Sequence, residues 1–391
     1  MKKRILFFDY WMKGFHNISA IMEHLDEDYE FYLLHLSSLQ GIHEDSKQIK
    51  DGVTCYDISY FIAGDLGGAL NEIKPDIIIT FNTTYIFDRA ICLEARKAGI
   101  KLIFLQHGSR KTIRKKNTSH AKIRNYSKLF NFQTIKKNLS YIKYYFNSKN
   151  KDMHGLLSSF MVVFEYFFLP RQSKFFPYYP NECLADFCCV YSTAEKPYYL
   201  DLGYKENEII VVGNPKFYKR APFKHPKPYI LFIDEGLPEA GNYYNVTTEK
   251  REAVLQRAAK SLKRIGFDLL VKPHPLAMES NFLPGNYTII NEDLANLISG
   301  SNGCICNVST AGDHVILENK ILISLNDSEF LSVPKPYVHD GAATLMLSTE
   351  LATYRKICLP DNAENYRVDN VKAFDKNTFI KLLRLNPGRT T

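Results

Sequence analysis

The chain has 391 residues, 45% of them hydrophobic and 24% charged, with 50 Lys and Arg against 42 Asp and Glu. That length suits two domains of roughly 150–200 residues each, and the balance excludes an intrinsically disordered chain. No apolar run reaches the ~20 residues that cross a bilayer; the longest, Leu156 to Leu169, carries Glu165. The basic start, Met1 to Arg4, lacks the apolar stretch and cleavage site of a signal peptide, so neither a spanning nor a secreted protein is expected.

Arg4 to Phe8 reads as a buried strand, Ile18 to Leu25 as a helix and Phe31 to Leu36 as the next strand. The clearest unit follows: a helix ending at Ala69 to Ile73, the turn Lys74-Pro75-Asp76, a strand Ile77 to Phe81, a helix from about Asp88 to Lys97, and a strand Lys101 to Leu105. Strand, helix, strand with fully apolar strands predicts a parallel sheet covered on both faces.

The middle breaks this rhythm. Residues 109–151 hold 13 Lys and Arg and no acid, interleaved with Tyr126, Phe130, Phe132, Tyr141, Tyr144, Tyr145 and Phe146. The alternation returns with a strand at Phe187 to Ser192, a helix at Lys196 to Leu202 and a strand at Ile209 to Val212, before the Pro-rich linker Pro222 to Pro228. A second α/β series then runs through strand Tyr229 to Ile233, helix Thr248 to Ile265, strand Phe267 to Val271 and strand Tyr287 to Ile290. It closes with a helix after Asn291, strand Gly303 to Cys306, helix Gly312 to Glu318 and strand Lys320 to Leu325. The eight Cys form no C-x-x-C pair and no zinc-spaced cluster with His; most lie in strand-like runs, so reduced buried thiols are expected.

The expected fold is therefore α/β, with two doubly wound Rossmann-like domains facing across a cleft. Residues 1–220 form the acceptor-side domain, with a basic, aromatic, helical insertion at about 109–180. Residues 221–391 form the donor-binding domain, whose last helix is free to pack back on the first. In such sheets ligands bind beyond the carboxyl ends of the strands, so polar residues on the strand-to-helix loops are the candidates.

Lys272-Pro273-His274-Pro275 follows one predicted strand. A His held between prolines can donate to a phosphate or a developing oxyanion, and Lys272 adds charge; the alternative is a plain Pro-rich turn. Asn307 to Gly312 follows another strand and opens a helix, where Ser309 and Thr310 with free N–H groups form an anion site or simply cap. Glu292 and Asp293 either cap their helix or read a base through its exocyclic amine, and Asp313 or Glu318 could take a ribose hydroxyl. Gln106-His107-Gly108 ends the strand of the first half; His107 is a natural general base or a buried, satisfied His. Asp9 and Asp88 compete for the base role.

Val212-Gly213-Asn214-Pro215, Lys272-Pro273-His274-Pro275 and Ser309-Thr310 together resemble the GT-B glycosyltransferases. The similarity is greatest to the bacterial sialyltransferases and Kdo transferases that build capsules and lipopolysaccharide from CMP-activated sugars. The resemblance covers most of 200–330 and, more loosely, the strands of 1–108. It implies that His274, Ser309 and Thr310 hold the CMP phosphate and that Glu292 or Asp293 contacts cytosine. Gly213, Asn214, Asp234, Glu235, Gly236, Lys272, Pro273, Pro275 and Glu318 complete the implied donor site. There is one departure. The sialyltransferases carry an acidic-acidic-Gly base motif in the N-terminal domain, whereas Asp234-Glu235-Gly236 ends the first strand of the second domain here. His107-Gly108 is instead similar to the His-Gly of CDP-glycerol polymerases of teichoic-acid synthesis, whose His serves as base.

The expected activity is inverting, metal-independent transfer of a sugar, a nonulosonate such as sialic acid or Kdo, from CMP to a bacterial capsule or lipopolysaccharide glycan. No cofactor beyond the nucleotide-sugar substrate is expected. CDP-polyol phosphotransfer, or UDP-sugar transfer or epimerisation, on the same fold is the alternative. A non-catalytic nucleic-acid or glycan binder is the remote one: taking the 13 cations of 109–151 from the 50 leaves 37 basic against 42 acidic residues elsewhere, which disfavours nucleic acid. Residues 109–175 are expected to dock the protein on the anionic inner face of the cytoplasmic membrane, or else to meet an anionic glycan acceptor.

Overall fold

The computed structural model describes residues 2–12, 15–25, 27–82, 86–107, 132–149, 183–217, 221–238, 244–274, 277, 282–283 and 285–385. The chain divides into two units, Met1–Pro215 with Asp375–Thr391, and Lys216–Phe374.

Among the described residues the first unit is built on eight strands: β1 Lys3–Asp9, β2 Tyr29–His35, β3 Lys47–Lys50, β4 Val53–Asp57, β5 Ile77–Thr80, β6 Lys101–Leu105, β7 Phe187–Val190 and β8 Ile209–Val211. Their order is β3-β4-β2-β1-β5-β6-β7-β8, parallel throughout except for β3 on β4. The helices are α1 Phe15–Met22, α2 Leu66–Ile73, α3 Ile86–Lys97, α4 Phe132–Ser148 and α5 Lys196–Asp201. Ile5, Leu6, Phe7 and Phe8 are all fully buried, because helices cover both faces and no strand residue needs to be polar. The hairpin β3–β4 was not expected from the sequence. Lys47-Gln48-Ile49-Lys50 is too polar to read as a strand, yet Asp51 and Gly52 turn it back with φ of 48° and 80°. That is the Asp-Gly pair a two-residue hairpin demands.

Helix α4 corrects part of the membrane expectation. Tyr141, Tyr144 and Tyr145 are buried in the core of the first unit, with Tyr141 edge-on to Tyr10 and Phe87 and Tyr144 against Phe87 at 5.0 Å. Burying a large side chain inside is worth about 2–3 kcal/mol, so these rings are core and not lipid anchors. Residues 108–131 and 150–182 lie outside the described residues, and with them Arg114, Lys115, Lys116 and the apolar run Leu156 to Leu169. Among the described residues no helix is long and apolar enough to cross a membrane.

The second unit holds β9 Tyr229–Ile233, β10 Asp268–Lys272, β11 Thr288–Ile289, β12 Gly303–Ile305, β13 Ile321–Leu325 and β14 Thr344–Met346. All are parallel, in the order β11-β10-β9-β12-β13-β14. Its helices are α6 Thr248–Lys263, α7 Leu294–Gly300, α8 Ala311–Leu317, α9 Pro336–His339 and α10 Ala363–Asn370. Strand order therefore reverses twice in the chain, between β1 and β5 in the first unit and between β9 and β12 in the second.

Helix α11, Lys376–Arg384, belongs to the first unit. Phe379, Leu382 and Leu383 are buried, and Lys101 at the start of β6 donates to the carbonyls of Leu382 (3.0 Å), Leu383 (3.1 Å) and Leu385. The last carbonyls of a helix have no partner inside it, and an ammonium group satisfies them well. Burial brings Lys101 down to about 8. Seven cysteines are buried thiols and Cys358 is exposed.

Candidate functional site

In the second unit three loops leave the carboxyl ends of adjacent strands β10, β9 and β12. They carry Lys272-Pro273-His274, Asp234-Glu235-Gly236 and Asn307-Val308-Ser309-Thr310. The reversal of strand order lies between the last two, which is where open α/β sheets leave a crevice.

Asp234 is buried directly after β9. Its carboxylate accepts the backbone N–H of His274 at 3.1 Å and the Arg251 guanidinium at 3.4 Å. Arg251, buried on α6, lies 4.0 Å over the Phe282 ring. Gly236 has φ +59°, and a Cβ there would sit 2.7 Å from His274 Nδ1. The glycine is thus required twice, by its left-handed backbone and by the imidazole packed on it.

Glu235 turns the other way. Its Oε1 accepts the backbone N–H groups of Asn307 (3.0 Å), Val308 and Ser309 (2.7 Å), and the Cys306 thiol donates at 3.4 Å. Burial pushes the Glu235 carboxyl up, while the Val308 and Ser309 donors pull it back. Burial and then the Glu235 charge push the Cys306 thiol well above its ordinary value. The sequence offered this turn as an anion site; in the structure the chain's own carboxylate fills it.

The remaining donor-side candidates separate into those near this cluster and those apart from it. Lys272 is half-buried and donates to Asn291 at 3.1 Å; burial lowers it, against the charges of Asp293 and Glu292. His274 and Pro273 are half-buried beside it, and Pro275 lies outside the described residues. Asp293 caps α7, accepting from Ala295 (2.9 Å) and Asn296 (3.3 Å), and Glu292 accepts from Asp293 N at 2.8 Å. Asp293 therefore serves the capping role that the sequence left open, while Glu292 holds the N–H of the cap residue itself. Ser309 Oγ accepts Ala311 N at 3.2 Å, whereas Thr310 makes no side-chain capping bond. The Ser309 carbonyl accepts from Tyr337 at 2.8 Å, and Asp313 accepts from Tyr366 at 2.9 Å. Glu318 follows the last residue of α8, about 10 Å of helix away from Ser309. His314, on the same helix, is buried with its ring stacked on Phe217 at 4.9 Å, and burial drives it down to about 4. Gly213 (φ +79°) and buried Asn214 belong to the first unit, after β8.

In the first unit the reversal between β1 and β5 gathers Asp9, Tyr10 and Asp88. Asp88, 1% exposed in the first turn of α3, accepts the Tyr10 hydroxyl at 2.8 Å. Asp9 accepts the Tyr10 N–H at 2.6 Å. His107 is exposed just beyond β6 and not buried. Gln106 before it is fully buried and accepts Tyr191 N at 2.9 Å, anchoring the backbone from which His107 projects. Gly108 lies outside the described residues.

One polar group escaped the sequence reading. Asp9, His35 and Asp57 stand in register across β1, β2 and β4. His35 is fully buried, with Nδ1 3.2 Å from Asp57 and 3.8 Å from Glu44. Burial would raise the Asp57 carboxyl, but His35 beside it and the Ser38 and Ser59 donors hold it well below the usual carboxylate range. Asp57 could be found only with β4, and β4 only through the Asp-Gly turn. Beside this row a surface groove is lined by Met12, His43, Glu44, Asp45, Gln48 and Lys50. Among the described residues no group of three or more His, Cys, Asp or Glu is arranged to hold a metal ion.

No protein-family model matches the chain, and no curated protein matches it by sequence. Solved structures do match. The wall teichoic acid polymerase TagF is 10% identical, with 98% of this chain and 87% of that chain covered and a TM-score of 0.54. The spinosyn forosaminyltransferase SpnP is 11% identical over 98% and 100% of the two chains, with a TM-score of 0.49. UDP-GlcNAc 2-epimerase from Methanocaldococcus jannaschii is 12% identical over 98% and 99%, with a TM-score of 0.48. The likeness to the polymerase, with the two parallel α/β sheets, gives this chain the two-domain, Rossmann-like GT-B fold.

Proposed function

We propose that the chain is a nucleotide-sugar glycosyltransferase whose second unit binds the donor. Its donor is a CMP-linked nonulosonate and its acceptor a bacterial surface glycan. One observation carries the reading: an ammonium group and an imidazole, Lys272 and His274, stand at the carboxyl ends of parallel strands beside the reversal of strand order. Nucleotides are bound at that end of such sheets, and an ammonium group with an imidazole donor beside it suits a departing phosphate. In this scheme His107 takes the proton of the acceptor hydroxyl, whose oxygen attacks the anomeric carbon. The bond from that carbon to the phosphate oxygen breaks, and Lys272 and His274 meet the charge left on the nucleotide. Asp9 and Asp88, whose carboxylates accept from Tyr10, are the alternatives for the base.

Release of nucleotide from CMP-, CDP- and UDP-linked donors, with and without acceptor, tests this; no release from any of them would sink it. A specific observation favours a second reading, phosphotransfer from a CDP-polyol. The His107-Gly108 pair resembles the His-Gly of CDP-glycerol polymerases. A CDP-glycerol arm in the same panel separates the two. The 13 cations of 109–151 support docking on the anionic inner face of the cytoplasmic membrane. Equal flotation with neutral and anionic vesicles would remove that part.

A further inference from the structure

We infer that Asp234-Glu235-Gly236 is a two-sided positioning clamp, with Glu235 closing the turn Asn307–Ser309 to outside anions so that the nucleotide phosphate is met from the β10 loop alone. The clamp itself is independent of the proposed function; its consequence for phosphate rests on that reading.

The tripeptide lies between two loops and touches both. Asp234 fixes the loop after β10 through the His274 N–H, and is itself fixed by Arg251. Gly236 leaves the space the His274 imidazole occupies. Glu235 fixes the loop after β12 by concentrating three consecutive N–H groups on one oxygen. Successive N–H groups pointing at one spot form a ready anion seat. Here that seat is taken by an anion tethered to the neighbouring strand, whose effective concentration exceeds that of a dissolved ligand. Tyr337 holds the same turn from behind through the Ser309 carbonyl. A phosphate arriving at this end of the sheet meets a carboxylate on the β12 side and Lys272 with His274 on the β10 side. Repulsion on one side and attraction on the other set where it sits. Glu235 is thus a positioning residue: it shapes the loop and fixes the phosphate's place without donating to it.

Chemical rescue tests the assignment. Glu235→Ala empties the seat at the size of a small carboxylate, and Glu235→Gln keeps the shape without the charge. In thermal melts Glu235→Ala should lose about 5 °C or more. Tens of millimolar sodium acetate should restore part of that loss beyond what equal sodium chloride does, with no such gain for the unmodified protein. By calorimetry, CMP and UDP should bind Glu235→Ala about tenfold more weakly, with acetate recovering affinity, and Glu235→Gln should fall between. Inorganic phosphate should enter the emptied seat of Glu235→Ala as acetate does, but tighter binding of CMP by either variant would overturn the inference, because the turn would then be the nucleotide's own phosphate seat. An acetate-insensitive Glu235→Ala that melts like the unmodified protein would overturn it as well. If the unmodified protein binds neither nucleotide, the proposed function fails while the acetate melts still decide the clamp. Should Glu235→Ala fail to fold, Glu235→Gln carries the affinity comparison.

Discussion

At the first reversal of strand order, between β1 and β5, a buried carboxylate on a helix, Asp88, reaches back to a phenol on the loop after the first strand. At the second, between β9 and β12, the carboxylate stands on the loop after the first strand, Glu235, and reaches forward to the backbone of the next loop. The topology is the same and the direction of the tether is opposite. Asp9 also holds the Tyr10 N–H, but the Asp88 tether itself grips a side chain, whereas Glu235 grips three consecutive backbone N–H groups of one turn, which is the more rigid hold. Under the proposed function, that difference suits a unit receiving varied acceptors and a unit receiving one invariant nucleotide.

The largest expected effect falls in the first unit. His107→Ala should lower transfer by about 10³-fold, while calorimetric affinity for the nucleotide stays within about twofold, since the base does not contact the donor phosphate. An active His107→Ala beside a dead Asp88→Asn would move the base to the Tyr10 pair. In the second unit His274→Ala should cost about 10²-fold in turnover with the fold intact; unchanged turnover in a folded variant would remove His274 from the chemistry. Tyr10→Phe sharpens the contrast between the tethers. Removing the phenol donor to a buried carboxylate should cost about 1–3 kcal/mol in urea unfolding and leave nucleotide affinity alone. An equal loss of affinity would mean that this reversal is as rigid as the other.

A smaller effect is visible through pH. His314 falls to about 4 when folded, against about 6.5 unfolded, so between these values the unfolded chain binds the extra proton. Stability from this group is complete above pH ~6.5 and is lost as pH falls through ~4. His314→Gln should flatten that part of the profile by at most about 3 kcal/mol. Identical profiles for the variant and the unmodified protein would mean that His314 keeps its proton when folded.

The strands that position the site were readable because they are buried on both faces: Lys101–Leu105 and Tyr229–Ile233 are apolar throughout apart from Lys101 at the start of the first. β3 was not readable, since an edge strand of Lys, Gln, Ile and Lys has no apolar face and only its turn betrays it. Of the candidate site, the loops were legible and their mutual occupancy was not. Ser309 and Thr310 after an apolar strand do signal free N–H groups. Nothing in that local pattern says that a Glu more than seventy residues earlier will occupy them. Asp293 shows the same limit from the other side, because a capping acid and a base-reading acid are written with the same letter. Composition misplaced Tyr141, Tyr144 and Tyr145, since a ring between lysines is as compatible with a helix burying one face as with a lipid surface.

The ammonium group of Lys101 seated on the last turn of α11 bears on the order in which the protein is made. The sheet of the first unit is translated by residue 211, yet the helix carrying Phe379, Leu382 and Leu383 emerges from the ribosome only after the whole second unit. Until then the seat for those three side chains stays open to water, and Lys101 is held against apolar neighbours without the carbonyls that satisfy it. The second unit is continuous in sequence and has no such wait. During synthesis the later-made half is therefore the first that can finish folding, and the earlier-made half is the one that needs protection from aggregation in the interval.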